Sequence, residues 1–220
     1  MDYKRILLFA GHYGSGKTNI AVNVAMHLQR ERGSVTIADL DIVNPYFRTK
    51  DSQRDLEAAG IRLICSEYAN TNLDIPALPA DLYAITDDKS RSAVIDVGGD
   101  DRGALALGRI SPALREEGSY EMLAVINCYR PLTQDVPSTL EVLGEIETAC
   151  GMRFTGLVNN SNLGEMTSPE DVLASLRYAE EVSRASGLPV RMTTVRASLY
   201  ETLKEQIEGL FPLDLQEKIC

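Results

Sequence analysis

The chain has 220 residues, 44% of them apolar and 25% charged, which is ordinary globular composition and enough for one α/β unit with a full core. Its net charge of −10 opposes the backbone of nucleic acids, so broad non-specific DNA binding is not expected, although a loop of backbone amides can still hold one phosphate. Cys65, Cys128, Cys150 and Cys220 stand far apart with no CxxC pair, which argues against a zinc ribbon or cluster within one chain and fits reduced thiols in a cytoplasmic protein. From the start of the chain, short apolar, β-branched runs alternate with longer amphipathic segments. The runs cover residues 5–10, 35–38, 62–65, 93–97, 123–127, 156–159 and 190–195. Each is nearly continuously apolar, as in parallel strands covered on both faces. The first follows Lys4 and Arg5 and is far too short for a signal peptide, and no stretch approaches the ~20 apolar residues of a transmembrane helix.

Between the runs lie helix candidates. Residues 17–32 place Ile20, Val24 and Leu28 at four-residue spacing and stop at Gly33; residues 49–59 stop at Gly60 in the same way. Further candidates span 102–117, 137–150, 169–186 and 198–209, and Ser168-Pro169-Glu170 reads as an N-cap followed by proline at the first helical position. Residues 70–89 contain Pro76 and Pro79 and read as a long loop with one short helix from Pro79. Residues 210–220 read as a tail. Strand-then-helix repetition with short links predicts an α/β fold: a single doubly wound, mostly parallel sheet with helices on both faces, forming one domain over 1–220.

Residues 11–18, GHYGSGKT, fit the pattern GxxxxGK[ST]. Gly11, Gly14 and Gly16 let the backbone curl, and with Ser15 they aim N–H groups at a β-phosphate. Lys17 offers a cation to the β- and γ-phosphates, and the Thr18 hydroxyl is a ligand for Mg²⁺. The helix that begins here adds its positive end. The match lies between an apolar strand and an amphipathic helix, which is the context the motif requires.

Two acidic segments come next. Asp39 and Asp41 flank Leu40 just after the second apolar run, where parallel sheets bind ligands, and on a continuing strand both face one side. Either suits Mg²⁺ through water, or the orientation of an attacking water. Residues 93–97 end an apolar strand at Asp96 and lead into Gly98 and Gly99, the shape expected of a Walker B element. There Asp96 would bind Mg²⁺ through water or Thr18, and Gly99 would let backbone approach the γ-phosphate.

The order of GHYGSGKT, then ADLDIVNPYFR after the second strand, then VIDVGGDD resembles the MinD/ParA-type P-loop ATPases of the SIMIBI class. That resemblance implies Asp41 as the carboxylate that positions the hydrolytic water, Asp39 as support for magnesium, and Asn159 and Asn160 near the purine. Capping of the turn after the sixth run is an alternative role for that asparagine pair. The sequence departs from most MinD/ParA proteins at His12, where they carry a second lysine that reaches a partner's nucleotide across a dimer. It also lacks the NKxD motif and the His or Cys tracts of the related maturation GTPases, so ATP is favoured over GTP.

Three functions fit. The first is an ATPase switch with Mg²⁺, a protein client such as a metalloenzyme-maturation or positioning system, and a nucleotide-dependent homodimer. The second is a small-molecule kinase or ligase of the dethiobiotin-synthetase type, with residues 44–48 and 70–89 lining the acceptor pocket and Arg48 as its anion contact. The third is a scaffold that dimerises with ATP and turns it over negligibly. Tyr46, Phe47 and Tyr129 are candidates for a dimer surface or for the core. Leu199, Leu203, Ile207 and Leu210 share one helical face opposite Glu201, Glu205 and Glu208, an acidic pattern that anionic lipid repels, so this face is expected to pack on the domain.

Overall fold

The computed structural model describes residues 2–40, 53–65, 80–99 and 101–215. Eight strands form one sheet: β1 (Ile6–Ala10), β2 (Val35–Asp39), β3 (Arg62–Cys65), β4 (Ser92–Asp96), β5 (Tyr120–Ile126), β6 (Gly156–Asn159), β7 (Val190–Arg196) and β8 (Leu210–Leu213). Their order is β3-β2-β4-β1-β5-β6-β7-β8, and every pairing is parallel. The helices are α1 (Lys17–Arg32), α2 (Gln53–Ala58), α3 (Ala84–Asp87), α4 (Asp101–Glu117), α5 (Val136–Cys150), α6 (Pro169–Ser186) and α7 (Ala197–Leu203).

Alternate residues of β1 explain why the runs are continuously apolar. Ile6, Leu8 and Ala10 join one core cluster with Leu107, Ile110 and Leu114 of α4; Leu7 and Phe9 join the opposite one with Ile20, Val24 and Leu28 of α1. Side chains on a strand alternate between faces, and here both faces are covered. Each such fully buried aliphatic side chain contributes about 1.5–3 kcal/mol over leaving it exposed.

Helix ends obey local chemistry. Gly33, Gly151 and Gly187 terminate α1, α5 and α6 with φ of 73°, 66° and 74°, left-handed values that a side chain disfavours. Asp135 caps α5 by accepting from Ser138 N, and Ser168 and Asp171 form a reciprocal capping box on α6.

Two departures from expectation lie near the end of the chain. Residues 210–213 are a strand rather than the start of a tail: β8 extends the sheet beside β7, with Thr193 opposite Leu210 and Arg196 opposite Leu213. A four-residue run containing Pro212 is a weak strand signal, and proline, lacking an N–H, is tolerated at a sheet edge. The helix expected over 198–209 ends at Leu203. Leu203, Ile207 and Leu210 still meet Val172 and Val195 in a third apolar cluster, with Leu199 packed against it, so this face does pack on the chain itself. Among the described residues no helix is long and apolar enough to cross a membrane.

Candidate functional site

β1 lies at the point where the winding reverses, with β4 on one side and β5 on the other. Open parallel sheets bind ligands at such a point, outside the carboxyl ends of the strands. The segment leaving β1 there is the glycine-rich loop of residues 11–18, the candidate phosphate loop. Gly11, Gly14 and Gly16 have φ of 151°, 75° and 93°. A Cβ on Gly11 would stand 2.5 Å from the Val125 carbonyl oxygen, and one on Gly16 would overlap the Asn160 side-chain amide. Glycine is therefore required for conformation and for space at both positions.

Inside the curl, Ser15 N donates to the His12 carbonyl at 3.2 Å and Lys17 Nζ donates to the same oxygen at 3.1 Å. The Lys17 ammonium thus bends back over the loop, with the residue 6% exposed. Ser15 is 1% exposed and its Oγ has no hydrogen-bond partner among the described residues. A buried hydroxyl left unsatisfied costs roughly 1–3 kcal/mol, which a phosphate oxygen would offset. α1 starts at Lys17 with no side-chain cap and no acid in its first turn, so its leading amides face the same place. These features fit a nucleotide phosphate chain.

Asp39 and Asp96 end β2 and β4 as direct register partners, and Leu40 N donates to the Asp96 carbonyl at 2.8 Å. They are 8% and 1% exposed. Two carboxylates with the Thr18 hydroxyl make an all-oxygen donor set of the hard type that Mg²⁺ takes. No cluster of three or more His, Cys, Asp or Glu occurs among the described residues; Mg²⁺ bound to phosphates completes its shell with water and needs fewer protein ligands. Beyond Asp96, a Cβ on Gly103 would meet Gly98 N and O at 2.6 Å, so the first turn of α4 lies directly on this segment. A Cβ on Gly99 would stand 2.8 Å from Lys17 Nζ and 2.7 Å from Tyr13 N, which places Gly99 against the loop's cation. Asp41 and residues 44–48 lie outside the described residues, as do residues 70–79.

From the loop a cleft of about 1110 Å³ runs toward the carboxyl ends of β6, β7 and β8, past Asn160, Asn162, Thr194, Arg196 and Leu213. The two adjacent asparagines have different surroundings. Asn159 is wholly buried and donates to Ser175 Oγ at 2.9 Å. Asn160 lines the cleft, donates from Nδ2 to the Ser15 carbonyl at 2.5 Å, and accepts from Thr194 Oγ1 at 2.6 Å. It ties the phosphate loop to β7. The loop after β5 also reaches the cleft through Arg130. Tyr129 on that loop is half-buried and its hydroxyl donates to the Asp171 carbonyl at 3.1 Å. Burial, and secondarily Cys128 and Asp171, pushes the phenol pKa up from its ordinary value, so the hydroxyl remains a donor near neutrality.

Arg130, Asn162, Thr194, Arg196 and Leu213 were not singled out from the sequence. For the first four the available signal was positional: each lies just after or at the end of one of the later parallel runs, at the carboxyl edge where α/β sheets bind ligands, whereas Leu213 lay in a segment that read as a tail.

No family model and no curated protein matches the sequence. Solved structures do match the fold. The cell division protein FtsY of Thermotoga maritima is similar over 86% of this chain, with a TM-score of 0.60 and 19% identity. The signal recognition particle receptor FtsY of Elizabethkingia anophelis, in complex with GDP, is similar over 99% with a TM-score of 0.52 and 15% identity. The signal recognition particle 54 kDa protein of Aeropyrum pernix K1, also in complex with GDP, is similar over 87% with a TM-score of 0.54 and 16% identity. This chain spans 61%, 62% and 41% of those three chains. Likeness at such identity concerns the fold, and the fold is that of a SIMIBI-like P-loop NTPase, one parallel doubly wound sheet with its phosphate loop after the first strand.

Proposed function

We propose that the protein is an Mg²⁺-dependent, ATP-binding P-loop nucleoside triphosphatase that works as a switch of the MinD/ParA type on a protein client, such as a metalloenzyme-maturation or positioning system. The observation that carries this reading is the convergence around Lys17. Its ammonium is buried over the loop, Gly99 touches it from the β4 side, and the Asp39–Asp96 pair lies at the ends of the neighbouring strands.

In this reading the loop amides and Lys17 hold the β- and γ-phosphates, and Ser15 Oγ donates to a phosphate oxygen. Thr18, Asp39 and Asp96 would hold Mg²⁺, which would offset phosphate charge. Asp41 orients a water for in-line attack on the γ-phosphorus; the β–γ bridging P–O bond breaks, leaving ADP, inorganic phosphate and a proton. Loss of the γ-phosphate releases the Gly99 segment, and a client or a second copy of the chain reads the change. Asn160 forms the wall beside the nucleoside, with Asn159 buried behind it.

The ATP preference rests on the missing NKxD motif after β6, since Ser161, Asn162 and Leu163 include no carboxylate, while Glu165 lines the same cleft and is a carboxylate able to accept from guanine's N1 and N2 donors. Two of the similar solved structures hold GDP, so both nucleotides belong in the test. Phosphate release is measured with Mg-ATP and Mg-GTP, no acceptor present, against Lys17→Ala. Slow ATP turnover that Lys17→Ala abolishes supports the reading. Tight binding without release from either nucleotide overturns unassisted hydrolysis and moves the search to phosphoryl acceptors. Preferred GTP turnover overturns the ATP assignment.

A further inference from the structure

We infer that Arg130 is a second cation for the nucleotide's phosphate chain, supplied by the loop after β5; this rests on the phosphate-binding reading above. Arg130 Nε lies 3.9 Å from the position a Cβ would take on Gly14, so its guanidinium stands directly beside the phosphate loop. It lines the same cleft as Lys17 and Thr18. It is exposed, and no acid pairs with it among the described residues, in a chain whose net charge is −10. A guanidinium in such a chain that stands beside a glycine-rich loop and lines a cleft with Lys17, unpaired with a carboxylate among the described residues, has an anion as its natural partner, and its planar fork suits phosphate oxygens.

The backbone under Arg130 is held from several directions. Asn127 is wholly buried; its side-chain oxygen accepts from Tyr129 N at 3.0 Å, and its carbonyl accepts from Arg130 N at 3.1 Å and Thr133 Oγ1 at 2.7 Å. Cys128 N donates to Ser161 Oγ at 3.1 Å, and the Tyr129 hydroxyl anchors the loop to α6. A residue delivered on a backbone fixed in this way loses little entropy on meeting its ligand. Nothing in the described residues occupies the guanidinium for a structural purpose, since its side chain makes no hydrogen bond to protein there.

The test titrates the native chain, Lys17→Ala, Arg130→Ala and Arg130→Lys with Mg-ATP, Mg-GTP and Mg-tripolyphosphate, the last a bare phosphate chain without base or ribose. Losing one charge-assisted contact to phosphate weakens binding about 10- to 100-fold. Arg130→Ala is expected to show that loss by a similar factor for the nucleotide and for tripolyphosphate, Arg130→Lys to recover part of it, and unliganded Tm to stay within a degree or two. A loss confined to the nucleotide would place Arg130 on the nucleoside and overturn the inference. Unchanged affinity for both probes, with Lys17→Ala still defective, overturns Arg130 alone. A native chain that binds none of the three probes overturns the phosphate-site reading together with this one.

Discussion

The two ends of the cleft are built from different materials. The phosphate end is one contiguous stretch, residues 11–18, in which backbone amides and glycine geometry do most of the shaping, with Lys17 folded over them. The other end, which the proposed function gives to the nucleoside, is assembled from side chains on separate strands: Asn160 after β6, Thr194 and Arg196 on β7, and Leu213 on β8. A site made of backbone is insensitive to which polar groups surround it but intolerant of an added Cβ. A site made of side chains tolerates backbone drift but depends on each hydrogen bond. Asn160 joins the two, since one amide touches the loop and its oxygen meets Thr194.

That contrast can be broken most sharply at the phosphate end. Lys17→Ala should weaken triphosphate binding about 100-fold or more while the protein stays folded, as read by calorimetry and thermal unfolding. An unchanged affinity would mean that the loop does not hold the phosphates. Gly11→Ala should cost about 3 kcal/mol or more of stability, because the new methyl meets Val125 O at 2.5 Å. Gly14→Ala, whose added methyl would meet only Arg130 Nε at 3.9 Å, an ordinary contact, should cost only about 1–2 kcal/mol for its left-handed backbone. Equal losses in denaturant titration would remove the crowding argument.

At the nucleoside end the expected effects are smaller. Asn160→Ala should cost about 2 kcal/mol and about ten-fold in nucleotide affinity, and a double-mutant cycle with Thr194→Val should show coupling between the two sites. Additive losses would show that Asn160 acts on the loop without β7. The smallest effect is remote from the loop, at the cap of α6. Ser168 hydrogen bonds hold the Asp171 carboxyl below its ordinary range. A depressed folded-state value means this stabilisation is present above the ordinary carboxylate range and drains away as pH falls through the lower folded value. Ser168→Ala should therefore lower Tm near neutrality, with a gap that narrows but does not close in strong acid, because Ser168 Oγ also accepts from Asp171 N whatever the carboxyl's charge. A gap in Tm of the same size in acid would show that the Asp171 carboxylate adds nothing through the Ser168 hydroxyl.

The same contrast governs how much was legible in the sequence. Gly11, Gly14, Ser15, Gly16, Lys17 and Thr18 emerge from one local pattern, and the seven apolar runs from two-sided burial. β8 was hidden because Leu210 continues the helical spacing of Leu203 and Ile207, and Pro212 weakens a strand reading. The partners of Asn160 were hidden for a different reason. Ser15 and Thr194 lie 145 and 34 residues away, and no local periodicity encodes a hydrogen bond between them. Asp39 and Asp96 fall between these cases: each ends its own run visibly, but their register pairing emerges only when β2 lies beside β4.

The Asn160 tie also bears on how the protein is made. By the time the ribosome has added Thr18, the full phosphate-loop sequence exists, yet two of the walls that shape it do not. Val125 O, which crowds Gly11, and Asn160, which holds the Ser15 carbonyl, are both added much later. A nascent chain that stops short of β6 carries the motif without the finished anion cradle. Nucleotide therefore has no early purchase on the growing chain, and its capacity to stabilise the fold arrives only once β6 and Asn160 have been made.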